Sequence, residues 1–371
     1  ASGKVKASLI DINMNVMLSV DAAGNVKAVL QNVTVDVKGL DVSLDGALGF
    51  LLNWVVDFFE GTFATMLEDQ VAAALKDTLP ATLESALEDL AFDTSFEVPP
   101  FLGDAPPTTL QMKSNVSSVN FTPIGGVLGL KAAVVTPKGV SLDSKGSLRR
   151  SQCLGNEAPF SFWMLDEIEM GIHDDFLNQI PYAMWWAGLL EIPLDAEALG
   201  GGSFEEYGIE NLDLKATALL PPVLSHCGKN AMEIQMGDLK LVASMVMFGM
   251  DVEVTMYSSF TAGIVIGVAT QDGETVLEMA VTDIGKVLLE VATVSENLVG
   301  SEDTLRALVI SQVLPVFLEQ LTGDSLASFP LPEMDMTGLI PGVPGDAKLS
   351  MTPKSTYREK GYTVITGSVH E

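Results

Sequence analysis

The chain has 371 residues, of which 47% are hydrophobic and 19% charged, with a mean hydropathy of +0.32 and a formal net charge of −29. Apart from "SLRR" at 147–150 there is no Lys/Arg cluster, which disfavours nucleic-acid or anionic-membrane binding by counterion release. No uninterrupted apolar run approaches the roughly 20 residues of a bilayer span. The apolar excess must fill cores or line something.

The acidity is uneven. Residues 1–150 hold 17 acidic and 11 basic side chains, net −6, and residues 151–371 hold 32 and 9, net −23. It reads as solubility that offsets an apolar surface. The opening "ASGKVKASLIDINMNV" already alternates like a strand, so no signal or transit sequence is visible.

"KVKASLIDINMNVMLSV" and "NVKAVLQNVTVDVKGLDVSL" alternate with period two around a turn at Asp21–Asn25, which predicts an antiparallel hairpin. In "GALGFLLNWVVDFFEGTFATMLEDQVAAALKDTL" the period changes. Leu48, Leu52, Val55, Phe59, Phe63, Met66, Val71, Leu75 and Leu79 recur at helical spacing. Pro80 kinks this helix or starts a second segment ending near Leu90. "SFEVPPFLG" follows at 95–103.

A second round of the same plan comes later. "DDFLNQIPYAMWWAGLLEIPL" (174–194) is uncharged from Phe176 to Leu190. It predicts a helix capped by Asp174 or Asp175, kinked at Pro181 and apolar on every side, hence buried or touching an apolar ligand. Trp185 and Trp186 point about 100° apart, so one faces the sheet and the other a pocket, an interface or solvent. Residues 256–294 read as a meander turning at Asp272–Gly273. "SEDTLRALVISQVLPVFLEQLTG" (301–323) reads as an amphipathic helix with Ser301 as N-cap and Gly323 at its stop. "SFPLPEMDMTGL" then echoes "SFEVPPFLG".

Catalysis finds little support. The three histidines, His173, His226 and His370, sit in no nucleophile or base arrangement, and the Gly runs lack phosphate-binding spacing. "LDEIEMGIHDD" (165–175) gathers five carboxylates and a histidine but matches no calcium loop. It reads as a solvated strand end and helix N-terminus, so neither a metal nor another cofactor is expected. Cys153 and Cys227, both in turn-like contexts, fit one disulfide or two unrelated thiols.

"DDFLNQIPYAMWWAGLL", "LDGALGFLLNWVVDFFEGTFATMLEDQVAAAL", "ALLPPVLSH" and the closing "LPEMDMTGLIPGVPGDAKLSMTPKSTYREKGYTVITGSV" together resemble the tubular lipid-binding superfamily, that of bactericidal/permeability-increasing protein and its relatives. The resemblance covers most of the chain by order of elements. It implies an α+β fold of two related halves, each a highly twisted antiparallel sheet wrapped round a long amphipathic helix, joined by a central sheet. The halves would be residues 1–120 and 159–371, with 121–158 connecting them.

The implied activity is extracytoplasmic lipid binding or transfer, periplasmic or secreted, with acyl chains held between helix and sheet. Leu52, Val55, Phe59, Phe63 and Met66 would line the first half. Trp185 or Trp186, Leu189, Leu305, Val309, Val313 and Phe317 would line the second. The partners expected are a phospholipid or other acyl-chain lipid, with transient membrane contact. The alternative is the same fold as a structural or protein-interaction module carrying no lipid. The first half has no counterpart of the 174–190 helix and few strands. A lost or retained N-terminal piece, a second copy of the chain, or a partner that fills an open trough is expected to cover it.

Overall fold

A computed structural model describes residues 3–44, 49–88, 91–98, 107–122, 125–136, 161–163, 166–195, 208–225, 232–271, 274–313, 325–330, 334–335 and 348–370. Most of it is antiparallel sheet, with few helices. The chain folds into two compact units. Unit 1 comprises residues 1–92, 114–131 and 334–348, and unit 2 the remainder up to residue 371. Cys153, Cys227 and Phe317 lie outside the described residues. So do the side chains of Leu52, Val55, Phe59, Phe63 and Val313.

Unit 1 opens with β1 (Gly3–Lys6), β2 (Leu9–Val20), β3 (Val26–Lys38) and β4 (Asp41–Leu44), where β1 pairs with β4 and β2 with β3. The turn is as expected. The Asp21 carboxylate accepts from the backbone of Ala23 and Asn25 and from the Asn25 amide, which holds its own pKa below the usual carboxylate range. Helix α1 (Gly49–Glu88) follows as one continuous element of 40 residues, about 60 Å long. It runs on through Pro80 where a break was one of the two expectations.

α1 lies along the outer edge of β3. Glu68 accepts from the backbone N–H of Val37 (3.0 Å), Glu84 from Ala28 (2.9 Å) and Glu88 from Val26 (3.2 Å). A register shift between Asn13 and Asn15, with Asn32 at φ 53°, changes which N–H groups face outward. They are even-numbered before the bulge and odd-numbered after it. On β2, Leu9, Ile10, Ile12, Val16 and Met17 are exposed.

Next come β5 (Asp93–Val98), β6 (Thr108–Thr122) and β7 (Gly125–Val135). β5 pairs with the first part of β6 within unit 2. Unit 2 continues with β8 (Ile168–His173), α2 (Asp174–Trp186), β9 (Glu191–Asp195), β10 (Ile209–Ala218), β11 (Val223–Ser225), β12 (Met232–Met247), β13 (Met250–Gln271) and β14 (Glu274–Val294). Helix α3 (Glu302–Leu308) and β15 (Ser325–Pro330) follow, then a two-residue β16 (Met334–Asp335) belonging to unit 1, and finally β17 (Lys348–Glu359) and β18 (Tyr362–His370). The main sheet runs β15-β14-β13-β12-β10-β9, with β11 also on β12. It begins well before Met256, where the sequence pattern places the meander. β17, β18 and β8 form a separate ladder.

The helix after β14 also differs from expectation. α3 spans seven residues and passes into a π-helical turn at Val309–Val313, and residues 314–324 lie outside the described ones. No helix among the described residues is long and apolar enough to cross a membrane.

Candidate functional site

The apolar stretch 174–190 is a structural anchor of unit 2. His173, not an aspartate, caps α2: its backbone is extended and its Nδ1 accepts from the Asp175 N–H at 3.1 Å. Asp174 is thereby free to turn inward, where it meets Arg358 of β17. Asn178 pairs with Leu224 of β11 as a strand would. Its Oδ1 accepts from the Leu224 N–H (2.8 Å) and its Nδ2 donates to the Leu224 carbonyl (2.9 Å).

The two tryptophans part company as their 100° separation requires. Trp185 is 1% exposed and donates from Nε1 to the Ala218 carbonyl at 2.8 Å, whereas Trp186 is 38% exposed. Gly188, at φ 84°, closes the helix: its N–H reaches the Trp185 carbonyl, and that of Leu189 reaches Met184. Leu189 is buried behind that turn.

The candidate site lies on the main sheet of unit 2, beneath α3. An apolar cavity there is lined by Ile209, Leu212 and Leu214 of β10, Leu241, Ala243 and Met245 of β12, Val254 and Met256 of β13, and Leu305 and Val309 of the helix. Its unfilled space is about 520 Å³, open solvent at the mouth included.

Strand geometry builds this wall. Along β12 and β13 the cavity residues are two apart, the inward positions of a pleated strand. Ile209 and Leu212 are three apart, yet both face in. Asn211, at φ 53°, is part of a bulge that sets two residues of β10 against one of β12. Every described side chain on the wall is apolar, which suits hydrocarbon.

Of the residues expected to touch lipid, Leu305 and Val309 are on this wall. Trp185 and Leu189 are buried elsewhere in the unit, and Met66 of unit 1 is 55% exposed. The sheet half of the wall was missed. Its signal was the alternation "LDLKATA" and "LKLVASMVM" at 212–247, which marks inward faces without saying that a gap lies over them.

The acidic run 165–175 is tied down by cations and a cap. Asp166 pairs with Lys354 at 2.9 Å, which lowers its pKa, with help from Thr366. Burial raises the Tyr357 phenol, and Glu169 and Glu359 nearby push it further the same way.

Comparison with known proteins adds one local likeness. A stretch of 93 residues, 25% of this chain, is 27% identical to lipopolysaccharide-binding protein of Bos taurus. The match spans only 19% of that protein's length. No protein-family profile matches the chain. A crystal structure of lipopolysaccharide binding protein aligns over 99% of this chain and 76% of its own, with 12% identity and a TM-score of 0.38.

Proposed function

We propose that this chain binds the hydrocarbon of an acyl-chain lipid between α3 and the sheet of unit 2, as an extracytoplasmic lipid-binding or lipid-transfer protein with two related halves. The observation that carries the reading is the cavity wall, whose ten described side chains are all apolar. The 93-residue likeness to a protein named for binding lipopolysaccharide supports it.

Magnitudes say how the site must work. Each buried methylene contributes about 0.8 kcal/mol. Micromolar binding needs about 8 kcal/mol, on the order of ten methylenes. The helical side of the cavity carries the π turn at Val309–Val313, an irregularity often found where helices serve a function.

Organic extraction of the purified protein followed by mass spectrometry should reveal an acyl lipid, and delipidated protein should take up a fluorescent fatty acid. A protein that carries no lipid and takes none up is a structural or protein-interaction module instead.

A further inference from the structure

The two most exposed large apolar side chains of the described residues are Phe248, 76% exposed, and Val299, 73% exposed. Strand register puts both at one end of the main sheet of unit 2. Met247 faces Met250 across the β12–β13 hairpin, so Phe248 and Gly249 are its two-residue tip. Val294 faces Val254, and Ser295 bonds to Glu253 through both backbone and side chain. Val299 follows four residues on, just before α3. The cavity wall starts at the same end, at Ile209 beside Met247 and Met245 beside Val252.

Phe248 is a costly choice for its position. Phe248 and Gly249 both have positive φ, 51° and 77°, the type I′ geometry that favours Asn-Gly. A bulky side chain there is a backbone outlier, and its ring gains little burial, resting over Gly208. Strain and exposure at one residue point to a role outside the folding of the hairpin. Met250, also exposed, flanks it. The charges nearby are acidic. Segments 245–253 and 295–306 hold Asp251, Glu253, Glu296, Glu302 and Asp303 against one cation, Arg306, which pairs with Asp303 at 2.8 Å.

We propose that Phe248, Met250 and Val299 form an apolar tip that docks on an electrically neutral lipid surface and sets the mouth of the cavity against it. The proposal rests on the lipid-binding reading for its purpose, but not for its test. Acidic surroundings repel an anionic bilayer, so the surface it fits is zwitterionic. Water-insoluble hydrocarbon would then pass between bilayer and cavity without crossing open solvent.

The experiment is flotation with pure phosphatidylcholine vesicles, and with vesicles also containing phosphatidylglycerol, using the whole chain and the variants Phe248→Asn and Val299→Ser. Phe248→Asn creates the preferred turn pair, so its melting temperature should hold or rise. Its affinity for phosphatidylcholine vesicles should fall about ten- to hundredfold, the worth of one buried Phe. Val299→Ser should weaken binding in the same direction, and added phosphatidylglycerol should weaken it for every form.

Wild-type protein that does not float with phosphatidylcholine overturns the proposal. So does a Phe248→Asn variant that floats as well as wild type, binding that requires phosphatidylglycerol, or a tip that only holds two copies together in sedimentation. Uptake of fluorescent fatty acid from vesicle-free solution tests the cavity separately. A Phe248-dependent flotation without such uptake supports the docking tip and sinks the cavity reading.

Discussion

Asp174 and Arg358 stand 184 positions apart in the chain and meet inside unit 2, where one guanidinium nitrogen lies 2.6 Å from one carboxylate oxygen and 2.8 Å from the other. Both side chains are buried. The pair joins the first turn of α2 to β17, and Arg358 also donates to Thr363 of β18. It fixes the helix to the β17-β18-β8 ladder at the point where β8 becomes α2.

Breaking that pair from one side strands a buried charge. Asp174→Asn should cost about 3–5 kcal/mol in urea unfolding. The double variant Asp174→Asn/Arg358→Met should be destabilised by less than the sum of the two single changes. Additive losses would mean that the two groups do not act together.

The carboxylates along β3 give a second test. Each accepts a backbone N–H that would otherwise face an unpaired edge. Glu84→Ala should cost about 1–3 kcal/mol, the range for a charge-assisted bond whose loss leaves a part-buried donor. Removing Glu68, Glu84 and Glu88 together should produce larger species in sedimentation. A triple variant that keeps the wild-type size would show that α1 covers the edge without them.

Filling the cavity separates a gap from a packed core. Ala243 lies on its wall, and Ala243→Val adds two methyl groups there. Stability should change by less than about 1 kcal/mol, since overpacking a filled core costs about 1–3 kcal/mol. Fatty-acid uptake should fall. A large destabilisation with unchanged uptake would place the lipid elsewhere.

Tyr357 makes stability depend on alkaline pH. Burial, then the charges of Glu169 and Glu359, raise its phenol above the usual 10.0. Its contribution is therefore fully present below the unfolded-state value. As pH rises, the unfolded chain gives up that proton first, and the contribution is lost up to the folded pKa. Urea unfolding from pH 9 to 11 should show a fall in stability that is shallower in Tyr357→Phe. Identical slopes would remove Tyr357 as the cause.

Much of the local structure was legible because it is written in neighbouring residues. Period-two runs of Val, Ile and Leu mark β2 and β3, since alternate side chains of a strand face opposite ways. Asp21, Gly24 and Asn25 mark the turn between them, because a short carboxylate can bond the backbone just ahead of it. The cap of α2 was misplaced by one or two residues. His173 rarely caps a helix, and the nearby aspartates are the commoner choice. Only the neighbouring ladder shows why Asp174 does not cap: it is committed to Arg358. Periodicity extends the second long helix over 301–323, whereas the described part leaves regular α-geometry at Val309.

The sequence by itself determined the β2–β3 hairpin and its turn at Asp21–Asn25, the helical character of α1 and α2, and an apolar excess that has to be accommodated inside the molecule. All of these depend on side chains within a few positions of one another. The tertiary structure alone decided which of Trp185 and Trp186 is buried, that Glu68, Glu84 and Glu88 serve the edge of β3, and that β10, β12 and β13 leave a gap beneath Leu305 and Val309. Each depends on register between segments far apart in the chain, and a one-residue shift of register would turn every inward side chain outward.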